Sequence, residues 1–129
     1  MPIISNDQAQ EIPWRPGYRN FVLAGRDQGM ECVAGYSVIE PGAGAPLHAH
    51  KDTDEVFIVL EGTLEFRLDE DRRLVGPNHT IAIPAGVPHA FVAVGTSPVR
   101  MFTFLPRTQT ISDATVYFEG GPPAGAKQY

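Results

Sequence analysis

Proline and glycine interrupt this chain so often that no long helix fits between them. There are 12 prolines and 13 glycines in 129 residues. Each breaks or turns the backbone, through a fixed φ or through freedom to take positive φ. The segments left between them are short and rich in β-branched and aromatic residues. They predict strands at Phe21 to Ala24, Glu31 to Ile39, Glu55 to Leu60, Thr63 to Leu68, Arg73 to Val75, Thr80 to Ile83, His89 to Val94 and Val99 to Leu105. Thr115 to Glu119 adds an edge strand. Glu61-Gly62 predicts a hairpin joining Phe57–Leu60 to Leu64–Leu68, because glycine accepts the turn. The charged tip Asp69-Glu70-Asp71-Arg72 reads as a solvated turn. Many short strands at this spacing predict an all-β sandwich or barrel.

The length predicts a single domain with a core that needs no staple. Its expected parts are an N-terminal arm over residues 1–18, a barrel over 19–119 and a loose tail over 120–129. The formal net charge is −5, which argues against nucleic acid and against an anionic membrane surface as partners. The single cysteine, Cys32, has no intramolecular partner for a disulfide and reads as a small core residue. No apolar run approaches the roughly 20 residues that span a bilayer, and a cytoplasmic location is expected.

Three of the four histidines and one glutamate fall in a marked arrangement. Gly42 is followed by His48-Ala49-His50, then Glu55, then Gly62; downstream comes Pro84-Ala85-Gly86-Val87-Pro88-His89. Side chains two apart on a strand share a face, so an extended His48-Ala49-His50 aims both imidazoles the same way. Glu55 shares its strand face with Phe57 and Val59, and His89 with Phe91 and Ala93. Imidazoles on an apolar inner face need partners for their ring nitrogens. A divalent cation supplies one to each and neutralises Glu55, so His48, His50, Glu55 and His89 are the expected metal ligands, with positions left for substrate. Ligation requires neutral histidine, so the ion should leave as pH falls well below neutrality.

This pattern resembles the cupin superfamily, specifically its small single-domain members. Gly42, His48, His50, Glu55 and Gly62 complete the first cupin motif, and Pro84, Gly86 and His89 match the second. The chain departs from the second at Asn78, His79 and Ala93, where glycine, aspartate and asparagine are usual. Asparagine tolerates the left-handed turn that glycine would supply. The resemblance implies a double-stranded β-helix, or jelly roll. It implies one divalent transition ion per chain, which can be iron, manganese, nickel, zinc, copper or cobalt. It also implies a homodimer, with the N-terminal arm often exchanged.

The expected function is a metal-dependent enzyme acting on a small organic molecule, by dioxygenase-type or Lewis-acid chemistry (isomerase, cyclase or lyase), with Glu55 also available as a catalytic base. The alternative is a non-catalytic cupin that binds or senses a small molecule. Phe57, Phe91, Phe102 and Phe104 are candidate walls of a substrate pocket, and Tyr36, Arg100 and Arg67 are polar candidates for substrate contact. His79 reads as an exposed turn residue.

Overall fold

The architecture is that of a computed structural model, which describes residues 3–123 apart from the side chain of Asp113. The first two residues of the expected arm and residues 124–129 of the expected tail lie outside the described residues. The strands are β1 (Gln10–Arg15), β2 (Tyr18–Ala24), β3 (Cys32–Ile39), β4 (Gly44–His50), β5 (Glu55–Glu61) and β6 (Thr63–Leu68). They continue with β7 (Asp71–Val75), β8 (Thr80–Ile83), β9 (His89–Val94), β10 (Val99–Pro106) and β11 (Thr115–Tyr117), with a one-turn helix α1 (Ile111–Ala114) before β11. One antiparallel sheet runs β1-β2-β3-β10-β5-β8 and the other β11-β4-β9-β6-β7. The fold is all-β, a jelly-roll barrel whose two sheets face each other across the core.

Period-two alternation explains how each strand serves that core. In β9, His89, Phe91 and Ala93 are buried while the residues between them are half-exposed. In β3, Val33, Gly35, Ser37 and Ile39 turn inward. Ile39, Leu64, Val99, Met101 and Leu105 are fully inaccessible, and burial of side chains this size contributes about 1.5–3 kcal/mol each. Phe57, Phe66 and Phe91 meet with ring centroids 5.4–6.0 Å apart, the spacing at which aromatic pairs attract beyond their buried area. Cys32 is buried and unpaired, as expected of a small core residue.

Besides β4 (Gly44–His50), which is not among the expected strands, two segments differ from the sequence-based expectation. Residues 10–15 form β1, which pairs with β2 in the six-stranded sheet. Pro13 is tolerated because β1 is an edge strand and loses no central ladder bond there. The connection at Glu61-Gly62 is not a hairpin: β5 and β6 belong to different sheets, so the chain turns a barrel corner. Gly62 has φ 80° there, and a Cβ would sit 2.6 Å from the Pro98 carbonyl oxygen. Only glycine permits that approach. The charged tip does close a hairpin, pairing β6 with β7 through Leu68 and Asp71. Asn78 adopts φ 64°, the left-handed turn anticipated for it. Among the described residues no helix is long and apolar enough to cross a membrane.

Candidate metal centre

Three strands deliver one side-chain set to a single point. β4 carries His48 and His50, the start of β5 carries Glu55, and the start of β9 carries His89. β4 and β9 are paired with His48 opposite His89, which places those rings 4.1 Å apart. β5 lies in the opposite sheet and brings Glu55 across the barrel. All four residues are buried, and one ligand-type atom from each lies within 4.8 Å of the others.

Hydrogen bonds fix which nitrogen faces the centre. His48 Nδ1–H donates to the Pro46 carbonyl at 2.7 Å, and His89 Nδ1–H to the Val87 carbonyl at 3.0 Å. His50 Nδ1 lies 3.0 Å from Thr115 Oγ1. The Thr115 hydroxyl already donates to the Ile111 carbonyl at 2.6 Å, so it accepts from His50 Nδ1–H. Each imidazole is thus held in the tautomer that turns Nε2 inward. Glu55 Oε1 sits 2.9 Å from His50 Nε2 and 3.1 Å from His89 Nε2, while Oε2 accepts from Thr103 at 3.1 Å.

The electrostatics follow from burial and from these contacts. Burial by itself would raise the Glu55 carboxyl, but hydrogen bonds from His50 and His89 outweigh it and hold the group well below the usual carboxylate range. Glu55 is therefore an anion at neutral pH. Burial, with His89 adjacent, lowers His48 to about 4, so its imidazole is neutral and available as a donor. With the Nε2 protons that His50 and His89 share with Glu55 displaced, three inward Nε2 atoms and one carboxylate would form a set that suits a divalent transition cation, with fewer protein donors than such ions accept.

A small cavity opens beside this set, with about 30 Å³ of free space. Its walls include Phe57 and Phe91, together with Trp14, Arg15, Tyr18, Asn20, Thr103 and Tyr117. A wider surface groove of about 400 Å³ lies elsewhere, along residues 8–10 and 25–28. It has no histidine, and Asp27 is its one carboxylate, so the chemistry stays with the smaller space.

The other expected wall residues are elsewhere. Phe102, Phe104, Tyr36 and Arg100 lie on the outer face of the six-stranded sheet. Tyr36 packs against Phe102 at 5.6 Å, Arg100 donates to the Tyr36 hydroxyl at 2.9 Å, and Phe104 is 42% exposed. The reason is parity: Thr103 and its neighbours at Met101 and Leu105 take the inner face of β10, which leaves the alternate positions outside. Arg67 bonds the Asp69 carbonyl at an exposed turn. His79 is likewise exposed, with Nδ1 3.1 Å from the Gly76 carbonyl.

Thr103 was discoverable as the one polar residue in the apolar run Met101 to Leu105. Arg15 and Tyr117 carry no comparable sequence signal. Only the pairing of β1 with β2 and of β11 with β4 brings them to the cavity.

A metal-type ligand set at one end of a two-sheet jelly roll is the arrangement of a cupin, and the chain belongs to that family: the Cupin domain model matches residues 35–105. Among curated proteins it is similar to quercetin 2,3-dioxygenase of Bacillus subtilis, 48% identical over 50 residues, which are 39% of this chain and 15% of that enzyme. The chain thus spans under a fifth of that relative's length. Among solved structures it resembles KdgF from Halomonas sp. (TM-score 0.70, 22% identity, 81% of this chain and 93% of that one). It also resembles oxalate decarboxylase from Bacillus subtilis (TM-score 0.73, 16% identity, 89% of this chain and 31% of that one). At such identities the structural likeness establishes the fold.

Proposed function

We propose that this protein is a metal-dependent enzyme acting on a small organic molecule, with His48, His50, Glu55 and His89 holding one divalent transition ion. The observation that carries the reading is the convergence of four buried donor atoms within 4.8 Å, each imidazole oriented by a separate Nδ1 bond. A bound ion supplies Lewis acidity toward a substrate oxygen, and a redox-active one supplies oxygenase chemistry. The protein's part is to hold three imidazoles with Nε2 turned inward, to orient Glu55 through Thr103, and to enclose the reacting group among Phe57, Phe91 and Trp14. Glu55 serves as a ligand in the first place. Action as a base would require it to give up its contacts to His50 and His89.

Dioxygenase-type chemistry is the preferred version, supported by the local 48% identity to quercetin 2,3-dioxygenase; isomerase, cyclase or lyase chemistry follows if the resident ion is redox-inert. The test is elemental analysis of the purified chain, followed by oxygen uptake and substrate loss across 1,3-diketones, flavonols, catechols and keto acids. Stoichiometric metal that vanishes in His50→Ala is expected. Full metal occupancy in that variant would sink the ligand assignment. Binding without turnover with every ion tried would favour a non-catalytic binder.

We also propose a homodimer through the outer face of the six-stranded sheet, with a second copy as the occupant. Ile58, Leu60 and Phe104 are 40–44% exposed there, beside Tyr36 and Phe102. Antiparallel sheets that face water usually alternate to polar residues on that side, and this one does not. Arg100 and Glu61, paired at 3.2 Å, offer both charges to a two-fold copy, as an isologous contact requires.

A further inference from the structure

Arg15 stands at the cavity with no carboxylate to pair with among the described residues. Four other arginines (Arg19, Arg67, Arg100 and Arg107) each reach an acidic side chain. Among the described residues Arg15 reaches none. It is half-buried, donates one N–H to the Gly121 carbonyl at 2.5 Å, and lies over the Tyr117 ring at 5.4 Å. A guanidinium has five donors in a planar fork, more than the Gly121 carbonyl and the Tyr117 side chain take up. Tyr117 in turn packs against His48, ring centroids 5.5 Å apart. Arg15 is therefore one aromatic ring away from the ligand set, and it is the only lysine or arginine lining the cavity among the described residues.

Charge counting gives the consequence. Three neutral imidazoles and one carboxylate leave a divalent ion with one net positive charge, and Arg15 adds another. Glu55 is the only acidic residue among the lining side chains described. In an enclosed, weakly screened space this excess favours an anion. We infer that the substrate is a small carboxylate bearing a second oxygen on the adjacent carbon, such as a 2-oxo or 2-hydroxy acid, whose carboxylate is read by Arg15. An aligned guanidinium and carboxylate make a paired, charge-assisted contact. The tight free space beside the ligands limits the acid to a few non-hydrogen atoms. This rests on the metal-centre reading and adds to it the class of ligand and the residue that selects it.

The test uses the full-length chain reconstituted with Mn²⁺, and the same chain stripped of metal. Pyruvate and its neutral isostere pyruvamide are titrated by calorimetry into wild type and Arg15→Gln, with metal content measured separately. Wild type should bind pyruvate at least about tenfold more tightly than pyruvamide, and Arg15→Gln should bring the two close to parity. Pyruvamide affinity and bound Mn²⁺ should not change in that variant, which controls for collapse of the cavity. Equal binding of both ligands by wild type, binding of neither, or unchanged pyruvate affinity in Arg15→Gln overturns the inference. If the glutamine variant does not fold, the wild-type ratio alone decides. A chain that takes up no metal yet keeps an Arg15-dependent preference sinks the metal reading and keeps this one. A metal-loaded chain with no such preference does the reverse.

Discussion

Along β10 the two faces of the six-stranded sheet can be compared residue by residue. Met101, Thr103 and Leu105 point into the barrel and are buried, whereas Phe102 and Phe104 point out. β5 repeats the division, with Glu55, Phe57 and Val59 inside and Ile58 and Leu60 outside. Both faces are apolar and aromatic, so composition does not separate them. What separates them is what each apolar side chain surrounds. Inside, Phe57 and its neighbours exclude water from charged and hydrogen-bonded groups, which strengthens every electrostatic contact there. Outside, the same kind of side chain surrounds nothing polar and offers only area. An aromatic residue on a strand is thus evidence of a site only when its parity is known.

The comparison is sharpest for two phenylalanines on one sheet. Phe57→Ala should destabilise the fold by about 3–5 kcal/mol, since it empties a packed core position. Phe104→Ala, at a half-open position, should cost under about 1 kcal/mol. Denaturant melts of both variants measure this, and equal losses would break the distinction. Thr103→Val preserves shape and removes the hydroxyl on Glu55. It should weaken metal affinity by about tenfold or more, as the loss of a group orienting a ligand does, with competition against a chelator as the readout.

Acid should separate the faces next. His48 is held near 4 in the folded chain against 6.5 for a free imidazole. A histidine whose folded value is depressed penalises folding once the unfolded chain takes up a proton. Stability is therefore intact above about 6.5 and declines as pH falls from there toward 4. Bound metal should be lost over the same window, because protonation competes with ligation. Thermal melts and metal content across that range check both. The smallest effect on the single chain belongs to Phe104→Asp. It should leave metal content and fold unchanged and convert the dimer to monomer in sedimentation, and an unaltered mass would remove the outer face as the interface.

Much of this was legible in the sequence. The eight expected strands all form, because each alternates or is bounded by a residue that forces a turn. The buried cluster was legible because His48, His50, Glu55 and His89 are chemically unlike their apolar neighbours. β1 was not, since Gln10-Glu11-Ile12-Pro13-Trp14-Arg15 has no clean alternation and takes its conformation from β2. The facing of β10 was not legible either. The run Met101 to Leu105 is apolar at both parities save Thr103, and the register with β5 that sets Thr103 opposite Phe57 is a property of the assembled sheet.

Besides Phe57, Phe91 and Thr103, the cavity wall draws on both chain ends: Trp14 and Arg15 enter from one, Thr115 and Tyr117 from the other, and Arg15 ties these terminal segments together at Gly121. The terminal residues lie outside residues 35–105, the stretch shared with the family, while His48, His50, Glu55 and His89 lie within it. If Arg15 reads the ligand and the buried cluster holds an ion, selectivity and ion capture occupy separable stretches of the polypeptide. Grafting the two terminal segments onto another small cupin should carry the preference for a ligand across without disturbing the ion, so relatives of this chain can diverge in diet while keeping a common hearth.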